Sequence, residues 1–491
     1  MTLNPKSRTR SENMKWKILL IFVAMLFSQN IFSQSITWQR TYEKNSMWVG
    51  NDACQTIDGN FVIAGSTIIS GIGTSIMAMK INEYGDTIWT RTILSYPNEV
   101  TEGNCVTPTG DGGIVISGNN DSIYSCKLDV NGNLIWYKNY LPLSSNIRDI
   151  KVTTDKGYII CGTSSYPPYQ GTAIKIDSSG NLMWVKLFSS TFLKSFYSVT
   201  LNGTGYILTG IESSFLGDRN QLIIVSLSSN GDSLWQKNYY VKNNAASGRE
   251  IIKTGQSLYI GGGTVDSDKA QLCFMKTDLN GDSIYTRTFP VNGRHERFGS
   301  FSVINNNRFV FCYERDSIST LYNGIGIISD SIGNITKKAV FTNSNFRWGS
   351  LRAITPISNG DIFFAGTAQL LPSYARVVYC VRTDSMLNTP VYIGINNHSE
   401  IIPKNFKLYQ NYPNPFNPNT TITFSLAKSG VVKIKIFDIT GKVLEIRTGK
   451  FYNAGNHKFD FTANNLSSGI YFYQLSIDGV IVDTKKMCLL K

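Results

Sequence analysis

Histidine occurs three times in 491 residues, and two of the three, His398 and His457, lie towards the C-terminus. A Ser-His-Asp arrangement in the larger part of the chain would have to use His295, which stands in a charged loop, so nucleophilic catalysis has little support. Cysteine is sparse and never grouped. Cys54, Cys105, Cys126, Cys161, Cys273, Cys312, Cys380 and Cys488 are far apart, which excludes the paired spacings of metal and redox sites. Most sit within apolar strand-like segments and read as small buried hydrophobes, with a bridge between Cys54 and Cys105, each ahead of a Gly-rich turn, as the alternative. No long stretch has helical period. Charged residues make up only 16% while 42% are hydrophobic, and the abundance of Tyr, Phe, Thr, Ser and Gly describes a packed β-rich protein rather than a disordered one.

Charge is also missing where a nucleic-acid binder would need it. The net charge is +13, yet residues 1–34 carry +4 and residues 401–491 carry +7, leaving only +2 for everything between. The largest part of the chain is close to neutral, and no nucleic-acid partner is expected. Long apolar runs are limited to one, Ile18 to Phe27, which follows the basic Met14-Lys15-Trp16-Lys17. It is too short to span a bilayer and has the form of a signal peptide cleaved after Ser33, with Met14 as an alternative start. Residues 1–34 are therefore read as a leader, with no transmembrane helix left after cleavage and passage through the periplasm to a secreted or outer cell-surface location.

What the chain has in quantity is repetition. Asp155-Lys156-Gly157-Tyr158-Ile159-Ile160-Cys161-Gly162-Thr163, followed by Ala173-Ile174-Lys175-Ile176-Asp177-Ser178-Ser179-Gly180-Asn181-Leu182-Met183-Trp184, shows the unit: a Gly-rich turn, a strand ending in Gly, a variable loop, a strand ending near Asp, a turn ending in Gly, and a strand carrying Trp. The second-turn glycines Gly85, Gly132, Gly180, Gly231, Gly281 and Gly333 are spaced by 47, 48, 51, 50 and 52 residues. A degenerate seventh unit runs from Asn359-Gly360-Asp361 to Asp384. In the fourth unit the strands are expected at Lys194 to Leu201, Tyr206 to Ile211, Gln221 to Leu227 and Ser233 to Tyr239. A four-stranded sheet cannot bury both faces alone, so the units must stack. The strand around Trp38, ahead of the first unit, matches the Trp89 strand and would complete the last sheet. The expected fold is all-β: a seven-bladed β-propeller over residues 35–390 closed by the N-terminal strand, a linker at 391–404, and a small immunoglobulin-like β-sandwich at 405–491.

The repeat resembles those of seven-bladed propellers in secreted bacterial proteins, with their Asp-Gly-Gly turn, strand ending Gly-Thr, and Lys-hydrophobic-Asp ahead of Gly and Trp. That resemblance implies a fold and says little of activity. Both Gly-containing turns fall on one face, and the variable loops fall on the other, where recognition is usually placed. Tyr166, Tyr169, Phe215, Arg219, Arg294, His295, Arg297, Tyr313, Arg315 and Tyr374 are the candidate ligand face, suited to a glycan or a peptide. No catalytic residue, cofactor or metal is assigned. Calcium is the one ion whose ligand chemistry is offered, by the Asp-x-Asn-Gly runs at Asp129 and Asp278, but both lack a distal bidentate Glu and their Asn-Gly pairs read first as tight hairpins. The leading function is binding. A carboxylate-based propeller hydrolase and a structural envelope component are the competing readings.

After Pro390 the repeat stops. Seven short strands are expected, at 406–410, 421–426, 431–437, 443–447, 457–462, 469–477 and 480–490. Asn411-Tyr412-Pro413-Asn414-Pro415-Phe416-Asn417-Pro418, with Phe437-Asp438-Ile439-Thr440-Gly441-Lys442, Leu466-Ser467-Ser468-Gly469-Ile470-Tyr471 and the tail Lys485-Lys486-Met487-Cys488-Leu489-Leu490-Lys491, resembles the type A C-terminal sorting domain of type IX secretion. The resemblance implies the type IX secretion machinery as partner. Tyr412, Pro413, Asn414, Pro415, Gly469, Tyr471, Lys485, Lys486 and Lys491 carry it, the prolines setting an extended lead-in and Gly469 allowing close backbone approach.

Overall fold

The computed structural model describes residues 35–390 and 406–490, apart from 44–46, 70–72, 94–100, 120–121, 141–144, 165–168, 190–192, 214–219, 243, 267–268, 290–295, 305–307, 316–322, 342–344, 427–429, 453–454 and 464–465. Strands dominate the described residues and no helix occurs among them. The chain divides into two compact units, Met1–Ile393 and Gly394–Lys491.

The repeat of the sequence is a repeat of antiparallel meanders. Among the described residues the first unit holds seven four-stranded sheets, six of them built from consecutive strands. In the fourth, the strands are Leu193–Asn202, Gly205–Ser213, Gln221–Leu227 and Ser233–Tyr239. The seventh takes Phe346–Pro356, Ile362–Leu370 and Arg376–Thr383 from the end of the unit and Trp38–Tyr42 from its beginning. Trp38 lies opposite Arg382 and Tyr42 opposite Val378. Each hydrophobic core lies between two neighbouring sheets. One joins Cys54 and Ile76 to Ile116 and Tyr124, and another joins Trp38, Phe363 and Val378 of the seventh sheet to Phe61, Ile63 and Met77 of the first. Every sheet thus buries both faces against its neighbours, the propeller-like solution to a core that no single sheet can form.

The glycine of the second turn has a double role. In Asp129 to Asn133, the Asp129 carboxylate accepts hydrogen bonds from the Asn131 and Asn133 amides and the Asn133 side chain, while Gly132 takes φ 79°. Such a conformation is easy for Gly and strained for other residues. The same glycines are also where the Trp of the preceding sheet lands: a Cβ on Gly132 would meet the Trp89 ring at 3.0 Å, and one on Gly180 would meet Trp136 at 2.9 Å. In the seventh sheet Leu387 stands at the glycine position with φ 62° and is buried in the core beside Phe341 and Phe364.

All eight cysteines are free thiols. The Cys54–Cys105 alternative is therefore set aside: Cys54 packs between the first and second sheets and Cys105 between the second and third, so the two side chains belong to different cores.

The second unit has two sheets around one core, a three-stranded one from Lys407–Leu408, Asn419–Leu426 and Gly455–Thr462, and a four-stranded one from Val443–Tyr452, Gly430–Phe437, Gly469–Ile477 and Val480–Leu489. Ile422 and Phe424 from the first sheet meet Ile434, Tyr473 and Met487 from the second.

Candidate functional site: the channel

The strand that opens each sheet of the first unit contains a β-bulge. The pairing skips Asn51, Asn104, Arg148, Tyr197, Arg249, Gly299 and Arg352 in turn. A bulge residue leaves the ladder and its side chain is re-aimed. Here all seven positions line one cavity of about 640 Å³. Its wall also includes Ser66, Ile68, Thr74 and Arg376 from the ends of the strands that lead into the variable loops, so the cavity opens on that side.

The second strand of each sheet records this geometry in its glycine. In six of the sheets the residue before the bulge pairs with Gly65, Gly118, Gly162, Gly210, Gly262 or Gly366. A Cβ at any of them would lie between 1.8 and 2.3 Å from a carbonyl oxygen of the inner strand. In the sixth sheet Phe298 pairs with Tyr313 instead, and the bulge residue itself is Gly299.

The bulge side chains form a polar ring. The Arg249 guanidinium lies 4.1 Å from the Tyr197 ring centroid and that of Arg148 lies 5.6 Å from it. Arg352 donates to Asn51 Oδ1 at 2.8 Å, and Asn51 Nδ2 donates to the Gly103 carbonyl. Burial lowers the pKa of Arg148, and the like charge of Arg249 adds to that.

One residue further along three of these strands stand carboxylates. Asp52 accepts from the Val106 amide at 2.9 Å, Asp149 from the Val199 amide and the Ser198 hydroxyl, and Glu250 from the Phe301 amide and the Ser300 hydroxyl. In each case the donor is in the next sheet, so the first is fastened to the second, the third to the fourth and the fifth to the sixth. Burial pushes Asp52 up to about 6, against the pull of the Val106 amide and Lys151. It pushes Glu250 up to about 7, against Lys151, Phe301 and Ser300. Lys151 donates to Asp149 at 2.8 Å. Burial alone would lower its pKa, but Asp149, Glu250 and Asp52 outweigh that and hold it above the usual lysine range. These carboxylates are committed to structure, while the guanidiniums make no ion pair among the described residues.

The loop-face candidates are scattered by comparison. Tyr166, Phe215, Arg219, Arg294 and His295 lie outside the described residues. The backbone of Arg297 lies opposite that of Glu314, and that of Arg315 opposite Glu296, along one strand pair. Tyr169 is partly exposed and its carbonyl accepts from the Lys194 amide. Tyr374 is exposed at φ 57°, with the Arg347 guanidinium 5.2 Å from its ring. Tyr313 corrects the expectation: it is fully buried among Phe274, Phe309 and Phe311, because the strand carrying it continues past the point where a loop was expected to begin. None of Tyr169, Tyr313 and Tyr374 lines the cavity, and sequence reasoning missed the ring that does. At Asp129 both carboxylate oxygens are engaged inside the hairpin. No grouping of three or more metal-ligating side chains occurs among the described residues.

In the second unit the motif residues meet physically. Asn414 Oδ1 accepts from the Cys488 amide at 2.8 Å and Phe416 exchanges backbone hydrogen bonds with Cys488 and Leu490. The Pro-rich segment is thereby docked on the last strand. Tyr412 is exposed, Lys485 pairs with Asp483, and Lys486 is exposed. Tyr471 donates to the Ser467 carbonyl. Gly469 does not serve a close approach: the nearest atoms to an added Cβ are 3.9 Å away. Lys491 lies outside the described residues.

The chain matches none of the curated proteins. Among solved structures it is similar to a protein of unknown function from Bacteroides caccae (13% identity, 60% of this chain and 99% of that one, TM-score 0.39). It is similar to another from Dyadobacter fermentans (9%, 72% and 99%, TM-score 0.43) and to the phage phi92 endosialidase (9%, 71% and 69%, TM-score 0.42). No helix among the described residues is long and apolar enough to cross a membrane. Residues 410–489 match the family described as secretion system C-terminal sorting domain, so the chain carries a type IX sorting tail and is exported to the cell surface or outside.

Proposed function

We propose that this protein is a ligand-binding cargo of type IX secretion. A seven-bladed β-propeller, residues 35–390, presents a binding site at its channel mouth, and an immunoglobulin-like sandwich, residues 405–491, engages the secretion machinery after a signal peptide has taken the chain through the periplasm. Seven four-stranded sheets with the Trp38 strand in the last support the blade count. The observation that carries the binding role is the bulge ring. It sets Arg148, Tyr197, Arg249 and Arg352 around one 640 Å³ space, whose size is that of a small-ligand pocket.

The test is binding of the purified full chain to a glycan array and a peptide library, repeated with Arg249→Gln. Binding that the substitution weakens supports the reading. Silence on both arrays, with turnover of some substrate, removes it in favour of the hydrolase. Asp52 and Glu250, raised by burial to about 6 and about 7, give that second reading its one support, but both already hold neighbouring sheets together.

A further inference from the structure

We infer that the channel mouth binds an acidic oligosaccharide, its carboxylate or sulfate group held by Arg148, Arg249 and Arg352. The inference rests on the binding role proposed above and adds the class of ligand. Two guanidiniums converge on the ring of Tyr197, and the third is oriented by Asn51. Planar guanidinium forks match carboxylate and sulfate geometry, and orienting them beforehand reduces the side-chain freedom lost on binding. Two like charges at one aromatic ring repel each other, and an anion bound by both offsets that repulsion.

The acidic side chains in the wall do not neutralise this cluster. Asp52, Asp149 and Glu250 lie one residue further along their strands and accept hydrogen bonds from the neighbouring sheets, with Lys151 beside Asp149. Glu102, also in the wall, acts on Arg148 electrostatically without forming an ion pair with it. Saccharide rather than acidic peptide is favoured by the rest of the wall. Asn146 supplies an amide and Asn104 an amide oxygen for hydroxyl groups, the Asn104 nitrogen being engaged by Asn119 and the Ile147 carbonyl. Peptide recognition, by contrast, draws its energy from apolar and aromatic anchors seated in pockets, and of the two aromatic residues in the wall Tyr197 is already covered by arginine and Phe298 packs against the core between the fifth and sixth sheets.

The experiment is calorimetric titration of the full chain with four probes: an oligogalacturonate, a heparin-derived tetrasaccharide, the neutral maltotetraose, and tetraglutamate. Expected is binding of one or both acidic saccharides, the two arms separating carboxylate from sulfate, with Arg148→Gln and Arg249→Gln each weakening it by about tenfold or more. Arg249→Lys should restore part of the loss. Lys237→Gln, outside the channel, should change nothing, and melting temperatures establish that each variant is folded. Equal binding of maltotetraose, tighter binding of tetraglutamate, or acidic-saccharide binding indifferent to both arginine substitutions overturns the inference. If the acidic saccharides fail while neutral glycans or peptides bind on the arrays, the ligand class falls and the binding role stands.

Discussion

The indole of Trp38 rests on Gly85, 47 residues further along the chain, and its N–H donates to the Glu83 carbonyl at 2.9 Å. Trp89 has the same relation to Gly132, with its N–H on the Val130 carbonyl. A strand from the start of the unit is therefore locked to the first sheet by the contact that locks the other sheets to one another. Trp38→Ala should cost about 3–5 kcal/mol, as for other large buried aromatics, read as a lower midpoint in urea. A cost below about 1 kcal/mol would mean that the first strand does not hold the ring closed.

Glycine substitutions separate packing from backbone strain. Gly85 and Gly59 share a φ near 80°, but a Cβ on Gly85 meets Arg40 at 2.9 Å and Trp38 at 3.0 Å, while one on Gly59 meets nothing within 4 Å. Gly59→Ala should cost about 1–2 kcal/mol, the left-handed penalty alone. Gly85→Ala should cost clearly more. Equal losses in chemical denaturation would refute the lock.

Arg382 and Asp361 form a pair in which both side chains are at most 3% exposed, at 3.0 Å, and Arg382 also donates to the Glu83 carbonyl of the first sheet. Asp361→Asn leaves a buried cation with only the half-exposed Glu83 carboxylate, 4.0 Å away, and should cost about 3–5 kcal/mol. Asp111 holds Lys127 in the corresponding place of the second sheet but is 54% exposed, so Asp111→Asn should cost under about 1 kcal/mol. Comparable losses would show that burial does not set the strength of these pairs.

The repeat was legible because its glycines and tryptophans are answers to local geometry that recurs in each sheet. Gly132 and Trp89 mark an inter-sheet contact, and the alternation of short strands and turns placed Gln221–Leu227 and Ser233–Tyr239 as the structure has them. The site was not read because Asn51, Arg148, Tyr197 and Arg249 occupy equivalent positions with unlike residues, so no motif connects them. A signal was present nonetheless. Gly65, Gly118, Gly162 and Gly210 are isolated glycines in apolar strands, and such glycines mark bulges or close backbone approach. Counting across from each would have found the ring.

The channel carboxylates give stability a definite pH dependence. Asp52 and Glu250 bind protons more readily in the folded chain, at about 6 and about 7, than in the unfolded chain, at about 3.9 and 4.3. A raised folded-state value favours folding fully below the unfolded pKa, and the benefit is lost as pH rises through the folded one. The turn carboxylates Asp111 and Asp155, lowered to about 2, act oppositely: their contribution is present above about 4 and disappears towards about 2. From about pH 4 to about pH 7 the channel pair should therefore erode stability, and Lys151→Met, which removes the cation that favours their ionised forms, should steepen the decline towards pH 7. Urea midpoints across that range check it, and an unchanged slope in the variant would exclude a Lys151 contribution.

Export should depend on the last strand in two separable ways. Met487 and Leu489 are fully buried in the core of the second unit, and the Cys488 amide is held by Asn414, so deleting Lys485 to Lys491 removes structure as well as charge. That truncation should leave the first unit folded and the protein retained in the periplasm, and its normal appearance at the cell surface would contradict the role of the tail. Met487→Ala should destabilise the second unit by about 2–5 kcal/mol, whereas Lys485→Ala with Lys486→Ala leaves the apolar contacts in place and should hardly move its unfolding midpoint. If the double lysine variant is nevertheless retained, the machinery reads the charges. If it is exported normally while Met487→Ala is retained, recognition requires only the folded tail.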